Sequence, residues 1–177
     1  ALKQFFEMAK KQSWYNNTVF VILADHCASS AGKTELPLDK YRIPAMIFSP
    51  EDLEAKHYTT LMSQIDVMPT LFGLLHFNYQ SKFYGQDVMQ ADYKPRAFVA
   101  TYQNLGLIKD NVLTILSLKQ QVKQLQLNLI PKANLAPDFQ LYYDEKPLGT
   151  PRKDLIDETI SYYQTASDIL KKKKYQK

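Results

Sequence analysis

The sequence contains a single cysteine, Cys27, among 177 residues. One thiol cannot form an internal disulfide, so a disulfide framework is excluded while the redox compartment stays open. No apolar run reaches the roughly 20 residues that span a bilayer, and no signal peptide is visible. The sequence also lacks a phosphate-cradling glycine loop, a CxxC pair and a serine in a nucleophile-elbow pattern. The enzyme classes that these three motifs identify therefore have no support in the sequence.

The excess of positive charge is small. Lysine and arginine together number 22 against 18 acidic residues, a net charge of +4 to which the run Lys171 to Lys174 contributes. A dedicated nucleic-acid binder usually carries a basic stripe within its fold, so we expect no nucleic-acid partner. For the lysine run, a solvated tail is favoured over a membrane-surface role. Hydrophobic content of 45% and aromatic content of 12% are typical of a globular chain.

The most informative stretch is Thr18 to Cys27, TVFVILADHC. Its continuous apolar run predicts a strand that is covered on both faces, as in a parallel sheet of an α/β protein. Such sheets place their chemistry outside the carboxyl ends of the strands, where Asp25 and His26 stand. A carboxylate and an imidazole together suit a divalent metal. The alternative is that Asp25 caps a loop and His26 is a satisfied structural histidine.

The rest of the first half also reads as α/β. Apolar residues at helical spacing in the first nine positions predict an amphipathic helix, which would be half of a βαβ unit. A second short strand is predicted within Tyr41 to Pro50, and a brief one is possible at His57 to Thr60. Ser63 to Leu75 predicts a helix with Asp66 capping or orienting it. Its predicted buried face consists of Ile65, Met68, Phe72 and Leu75.

From Ala97 onward the pattern predicts a small antiparallel sheet with one wet face and a terminal helix. Pro131 to Pro151 reads as a loop, and Thr150 and Pro151 as the start of the helix. The predicted helix face carries Ile156, Ile160, Tyr163 and Leu170. The predicted strands are Ala97 to Gln103, Gly106 to Lys109, Asn111 to Leu118 and Gln121 to Leu129, with a turn at Asn104 to Gly106.

Three ordered segments, NTVFVILADH, YRIPAMIFSP and SQIDVMPTLFGLL, followed by FYGQDV, resemble the C-terminal half of the alkaline phosphatase and sulfatase superfamily. Within it, the chain most resembles the lipoteichoic acid synthase-like phosphoglycerol transferases. The resemblance implies the C-terminal part of a sulfatase-like α/β sheet flanked by helices over residues 1–92. Residues 93–177 would then form the small antiparallel subdomain with its C-terminal helix.

The resemblance also implies a divalent cation, typically manganese, with Asp25 and His26 matching the family's Asp-His metal pair. The threonine nucleophile and a further acidic ligand of the family would lie upstream of Ala1. We therefore expect this chain to be a piece of a longer enzyme and to be inactive without its N-terminal half. By this resemblance, the parent lies in the cytoplasmic membrane with this domain on the extracytoplasmic side.

By the same resemblance, a phospholipid would donate the headgroup and a glycerol- or glycan-type hydroxyl would accept it. Lys33, in the loop after the pair, is a candidate for binding the phosphate, although an ordinary solvated lysine is the alternative. Cys27 reads as a space-filling thiol. His57 and His76 read as structural or solvated histidines and not as ligands.

Two other functions stay open at this point. One is a sulfatase or phosphoethanolamine transferase of the same fold, which would differ in its headgroup pocket and its nucleophile. The other is a non-catalytic domain that binds a partner or supports assembly.

Overall fold

The computed structural model describes residues 1–26, 36–82, 84–131 and 141–175. Contacts divide these residues into two compact units, one holding residues 1–26 and 43–58 and the other holding 36–42 and the described residues from 59 onward. The boundary expected after residue 92 stays a prediction. Among the described helices, none combines the length and the hydropathy that crossing a bilayer requires. The helices are α1 (Leu2–Ala9), α2 (Val67–Leu74) and α3 (Lys153–Lys171).

The strands form two antiparallel sheets. The first unit contains β1 (Phe20–Leu23) and β2 (Ala45–Phe48). The second contains β3 (Ala97–Ala100), β4 (Asn104–Lys109), β5 (Val112–Ser117), β6 (Gln121–Pro131) and β7 (Leu141–Pro147). Helices, a small sheet and a terminal helix confirm the predicted mixed α/β class.

In the first unit, aromatic rings hold α1 against the two-stranded sheet. The ring of Phe6 lies 5.2 Å from that of Phe20 and 5.8 Å from that of Phe48. Phe20 and Phe48 are also paired in the register of β1 and β2, and their rings stack at 6.0 Å. Half-buried aromatic pairs of this kind add to the stability that apolar burial supplies. The predicted helix and both predicted strands are confirmed.

The pairing of β1 differs from the prediction in one respect. The apolar run predicts a strand of a parallel sheet, but within the described residues β1 pairs antiparallel with β2 alone, and Val21 is 38% exposed. A run of apolar residues reports which side chains avoid water and not the direction of the neighbouring strand. The brief strand suggested for residues 57–60 was wrong, since this segment has no regular secondary structure.

In the second unit, five strands follow one another in chain order, each antiparallel to the next. Asp110 and Asn111 both have positive φ, 52° and 58°, between paired residues Lys109 and Val112. This is the two-residue hairpin whose twist matches that of the strands. The turn predicted at residues 104–106 was wrong because Asn104 already opens β4. The chain reverses one step earlier, where the Thr101 N–H donates to the Asn104 carbonyl at 2.8 Å.

The larger sheet buries side chains on both faces. One face packs against Leu36 and Leu38, and its buried members from the sheet are Val99, Ile108, Leu113, Ile115, Leu125 and Leu127. The opposite face carries Thr114, which is fully buried, and α3 contacts β4 and β5 there. The predicted wet face was therefore wrong at the centre of the sheet. The alternation in β6 was read correctly at Leu125 and Leu127, whereas the side chain of Leu129 lies outside the described residues.

The helix predicted at Ser63 to Leu75 is confirmed as a 3-10 turn, Gln64–Asp66, that continues into α2. Its predicted face was wrong, because Ile65 and Met68 are each 46% exposed. The buried residues are instead Asp66, Val67, Pro69 and Thr70. A tight first turn with three residues per turn rotates these side chains away from the spacing of a uniform α-helix.

The region read as a loop over Pro131 to Pro151 contains β7, so that prediction was wrong for residues 141–147. The start of α3 also lies later than predicted, at Lys153. The Gln124 side chain explains this start. Its Oε1 accepts from the Arg152 N–H at 2.8 Å and its Nε2 donates to the Arg152 carbonyl at 3.0 Å. Because Gln124 holds both backbone groups of Arg152, the chain turns helical only after this residue.

Within α3, the buried residues are Leu155 and Thr159, and Leu170 is 66% exposed. The predicted face is therefore displaced by one position near the start of the helix and does not extend to Leu170. Tyr163 of that face does contact the sheet. Its hydroxyl lies 2.9 Å from the Gly106 carbonyl oxygen and 3.2 Å from that of Val99.

Candidate metal pair and its surroundings

The strand β1 ends in the two residues that the sequence singled out. Phe20 to Leu23 pair with β2, and the Ala24 N–H still donates to the Pro44 carbonyl at 3.3 Å. Asp25 and His26 follow directly, beyond the last ladder hydrogen bond. The apolar strand therefore anchors the backbone immediately before the pair, while the pair itself is outside the sheet.

The Asp25 and His26 side chains lie close together and face solvent. His26 Nε2 is 3.5 Å from Asp25 Oδ2, and the two side chains are 79% and 89% exposed, respectively. Asp25 Oδ1 accepts a hydrogen bond from the His26 backbone N–H at 2.9 Å. This bond fixes one carboxylate oxygen and leaves the other, Oδ2, next to the imidazole nitrogen.

The geometry of the pair fits a shared divalent ion. Nitrogen and oxygen ligands about 2.1 Å from a metal at a tetrahedral angle lie about 3.4 Å apart. The observed separation of 3.5 Å between His26 Nε2 and Asp25 Oδ2 is close to this value. Carboxylate oxygen and imidazole nitrogen also form a donor set that transition metals such as Mn²⁺ and Zn²⁺ accept.

Two ligands do not complete a metal centre. Among residues 1–26, 36–82, 84–131 and 141–175, no group of three or more His, Cys, Asp or Glu side chains is placed to hold an ion. Asp25 and His26 as metal ligands therefore stay a prediction. Lys33, the candidate phosphate-binding residue, and Cys27 lie outside the described residues.

The two other histidines are placed differently. His57 is exposed in an irregular segment. His76 follows α2 with φ 55°, where its N–H donates to the Gly73 carbonyl and the next N–H, of Phe77, donates to Phe72. This pair of bonds is the Schellman motif that closes many helices. The structural interpretation of His76 is supported by this motif.

Asp66 caps the 3-10 turn Gln64–Asp66 that leads into α2, which agrees with the prediction that it caps or orients a helix. Ser63 and Asp66 form a reciprocal capping box, in which the Ser63 N–H donates to Asp66 Oδ2 at 2.8 Å. The same carboxylate receives the Gln86 N–H on Oδ1 at 2.8 Å. One side chain therefore connects the 3-10 turn before α2 with the backbone at Gln86.

No local sequence pattern predicted Arg96 as the partner of Asp66. Arg96 Nη2 donates to Asp66 Oδ1 at 3.0 Å and Nη1 donates to Oδ2 at 3.2 Å, with both side chains almost completely buried. Arg96 Nη2 also reaches the Tyr84 carbonyl at 2.9 Å. The two-pronged pair and the additional bonds offset the cost of burying the two charges, while Arg96 Nε is buried without a hydrogen-bond partner. An arginine just before an apolar strand was the available signal, but its partner is 30 residues away.

Tyr93 completes this buried cluster. Its hydroxyl donates to the Leu61 carbonyl at 2.9 Å and lies 3.3 Å from Asp66 Oδ2. Burial, together with the neighbouring Asp66 charge, raises the pKa of Tyr93 to about 12. Asp66 and Arg96 are closed to solvent, whereas Tyr93 is half-buried, so the ion pair at the centre of the cluster stabilises the fold.

Comparisons with known proteins agree with the segments that carried the resemblance. A family model described as Sulfatase matches residues 1–77, the part that contains Asp25 and His26. The chain is also similar to the crystal structure of a protein in the alkaline phosphatase superfamily from Vibrio parahaemolyticus, with a TM-score of 0.83 and 25% identity. That match covers 99% of this chain but 40% of the other chain. Both comparisons agree with the resemblance of this chain to the alkaline phosphatase and sulfatase superfamily.

Proposed function

We propose that this chain is part of a metal-dependent enzyme that transfers a phosphoglycerol-type headgroup. The observation that carries the proposal is the exposed pair of Asp25 and His26 after the end of β1, in which His26 Nε2 lies 3.5 Å from Asp25 Oδ2. The pair lies within the residues that match the Sulfatase family. Since the chain spans 40% of the chain it matches in structure, the activity proposed belongs to the whole parent protein.

Asp25 and His26 would hold the ion, which in this proposal is Mn²⁺. A bound divalent ion polarises phosphoryl oxygens and activates a hydroxyl nucleophile. Asp25 supplies an anionic oxygen and His26 a neutral ring nitrogen. The hydrogen bond from the His26 backbone to Asp25 Oδ1 restricts the carboxylate before any ion binds, so less orientational freedom is lost on binding.

The remaining parts of the proposal concern the parent. Its nucleophile is a threonine outside this chain, its donor is a phospholipid headgroup, and its acceptor is a glycerol- or glycan-type hydroxyl. Lys33 contributes a positive charge beside the phosphate. The parent is held in the cytoplasmic membrane with this domain on the extracytoplasmic side. These expectations rest on the resemblance of the ordered segments around Asp25, Tyr41 to Pro50 and Ser63 to Leu75.

A second function is favoured by the name of the matching family. Sulfatases act on sulfate esters, and the match over residues 1–77 does not distinguish a sulfuryl group from a phosphoryl group. Both reactions develop negative charge on oxygens that a metal and nearby cations stabilise. The two functions therefore predict the same role for Asp25 and His26 but different substrates.

The test is an activity assay on the full-length protein with Mn²⁺. We expect release of diacylglycerol from phosphatidylglycerol and no cleavage of an aryl sulfate. Asp25→Asn and His26→Gln should each reduce the rate by at least about a hundredfold, as expected when a metal ligand is lost. The matched controls Asp92→Asn and His57→Gln change exposed residues of the same types and should leave the rate within about twofold. Full activity in Asp25→Asn, or turnover of the sulfate ester alone, would contradict the proposal.

A further inference from the structure

A group of lysines surrounds the C-terminal end of α3. Lys171 is the last residue of the helix, and Lys172, Lys173 and Lys174 follow in an exposed turn. Lys82 comes from a distant part of the chain, and its Nζ donates to the Lys174 carbonyl at 2.7 Å. The run of four lysines is visible in the sequence, but only the fold shows that a fifth lysine, Lys82, lies beside it. We name Lys82 and Lys171 to Lys174 the basic cluster.

One acidic residue offsets part of this charge. Asp168 lies 2.6 Å from Lys172 Nζ and 3.5 Å from Lys174 Nζ. Without the five lysines and Asp168, the whole chain has 17 basic and 17 acidic residues, given its totals of 22 and 18. The five lysines and Asp168 together carry a net charge of +4, and the rest of the sequence sums to zero.

Helix stabilisation alone does not account for the cluster. Lysines favour a helix C-terminus through the helix dipole, but the effect fades beyond the last turn. Lys172, Lys173 and Lys174 follow the last residue of α3, and Lys173 leaves the helical conformation with φ 52°. A solvated tail explains the charges but not why Lys82 is bonded to it.

Two exposed apolar side chains accompany the lysines. Leu170 is 66% exposed and Tyr175 is 51% exposed, directly before and after the lysine run. Aliphatic and tyrosine side chains beside lysines are the composition of surfaces that lie in a membrane interface, where the apolar groups enter the headgroup region and the ammonium groups stay at its surface. An exposed leucine adds no affinity to a surface that binds only a soluble polyanion.

We propose that the basic cluster, with Leu170 and Tyr175, docks on an anionic lipid surface. The lysines are attracted to the acidic headgroups, and the two apolar side chains enter the interface. This surface is independent of Asp25 and His26, so it stands even if the proposed enzymatic activity fails. It places this end of the second unit at the membrane.

The test measures binding of the purified full chain to sedimented vesicles. We expect binding to vesicles of phosphatidylcholine with 30% phosphatidylglycerol, weakening as salt rises, and none to pure phosphatidylcholine. Each lysine near an anionic surface contributes about fivefold in affinity. Replacing Lys171, Lys173 and Lys174 by Gln should therefore weaken binding by about a hundredfold. The matched control, Lys3, Lys10 and Lys11 to Gln, removes the same charge and should change binding by less than about threefold.

A second comparison separates a lipid surface from a soluble polyanion. Leu170→Ser with Tyr175→Ser should weaken vesicle binding while leaving binding to heparin unchanged. The proposal is overturned if the two lysine triples lose affinity equally, which would show an effect of net charge alone. It is also overturned if the serine variant binds vesicles as tightly as the original chain, since the partner would then be any polyanion. Circular dichroism spectra of the variants should match that of the original.

Discussion

Among the ion pairs of the described residues, two differ sharply in exposure. Asp25 and His26 lie 3.5 Å apart with side chains 89% and 79% exposed, whereas Asp66 and Arg96 lie 3.0 Å apart with 0% and 1% exposed. The buried carboxylate also accepts hydrogen bonds from the backbone N–H groups of Ser63 and Gln86. The exposed carboxylate keeps Oδ2 at the surface. Similar chemistry therefore stabilises the fold in one place and is available for a ligand in the other.

The largest effect is expected from breaking the buried pair. Arg96→Met leaves the Asp66 charge without its two-pronged partner, and the loss of one member of a buried ion pair costs about 3–5 kcal/mol. Urea denaturation of the full chain measures this loss. Arg152→Met is the control, because Arg152 pairs with Asp110 and Asp154 at exposed positions, where solvent screens the charges and the loss of stability should be much smaller. Equal losses in both variants would remove the distinction between the two kinds of pair.

A smaller loss of stability is expected at Gly85, where the backbone passes close to the buried cluster of Asp66, Arg96 and Tyr93. A Cβ at Gly85 would lie 1.9 Å from the Ile65 carbonyl oxygen, next to the Gln86 N–H that bonds to Asp66. Gly85→Ala should therefore displace this segment and cost about 1–3 kcal/mol, the usual range for overpacking. Gly149→Ala is the matched control, since nothing lies within 4 Å of its Cβ position. A neutral Gly85→Ala would show that this segment does not hold the cluster together.

The buried cluster also predicts how stability depends on pH. The pKa of Tyr93 is about 12 in the fold and its ordinary value is 10.0, so the native state keeps a proton that the unfolded chain loses. The contribution of this proton to the free energy of unfolding is fully present below pH 10 and is lost as the pH rises towards 12. Tyr93→Phe should make this fall shallower in urea denaturation from pH 9 to 12. Tyr102→Phe, at a fully exposed tyrosine, should leave the slope unchanged, and equal slopes in all three chains would contradict the assignment.

The smallest effect on folding is expected at the exposed pair. Asp25→Ala should change the free energy of unfolding by less than about 0.5 kcal/mol without metal, as for other exposed positions. The same denaturation experiment with and without chelator measures it. A loss as large as that of Arg96→Met would mean that Asp25 stabilises the fold, and the contrast between the two pairs would be lost.

These contrasts show which features of the sequence were informative. The run from Val19 to Ala24 predicted β1 and the place of Asp25 and His26, because a strand and the residues after it are local in sequence. The patterned segment around Asp66 likewise predicted that this residue caps or orients a helix. Arg96 was missed because its pairing with Asp66 joins residues 30 positions apart, and no local pattern encodes such a contact.

The errors in secondary structure have related causes. β7 was read as a loop because prolines surround it, and Pro147 is tolerated at the end of an edge strand. The α2 face was misplaced since a 3-10 turn precedes the helix. The second face of the large sheet is buried because α3 packs on it. Alternation along a strand shows which residues share a face of the sheet, but not which element covers that face.

The most direct test of the central claim is electron paramagnetic resonance of Mn²⁺ bound to the full-length protein. Electron spin-echo modulation detects a nitrogen of an imidazole ligand. We predict a ¹⁴N signal that His26→Gln removes and that His57→Gln leaves in place, with weaker Mn²⁺ binding in Asp25→Asn. Bound Mn²⁺ whose nitrogen signal survives in His26→Gln would show that the pair at the end of β1 does not hold the ion.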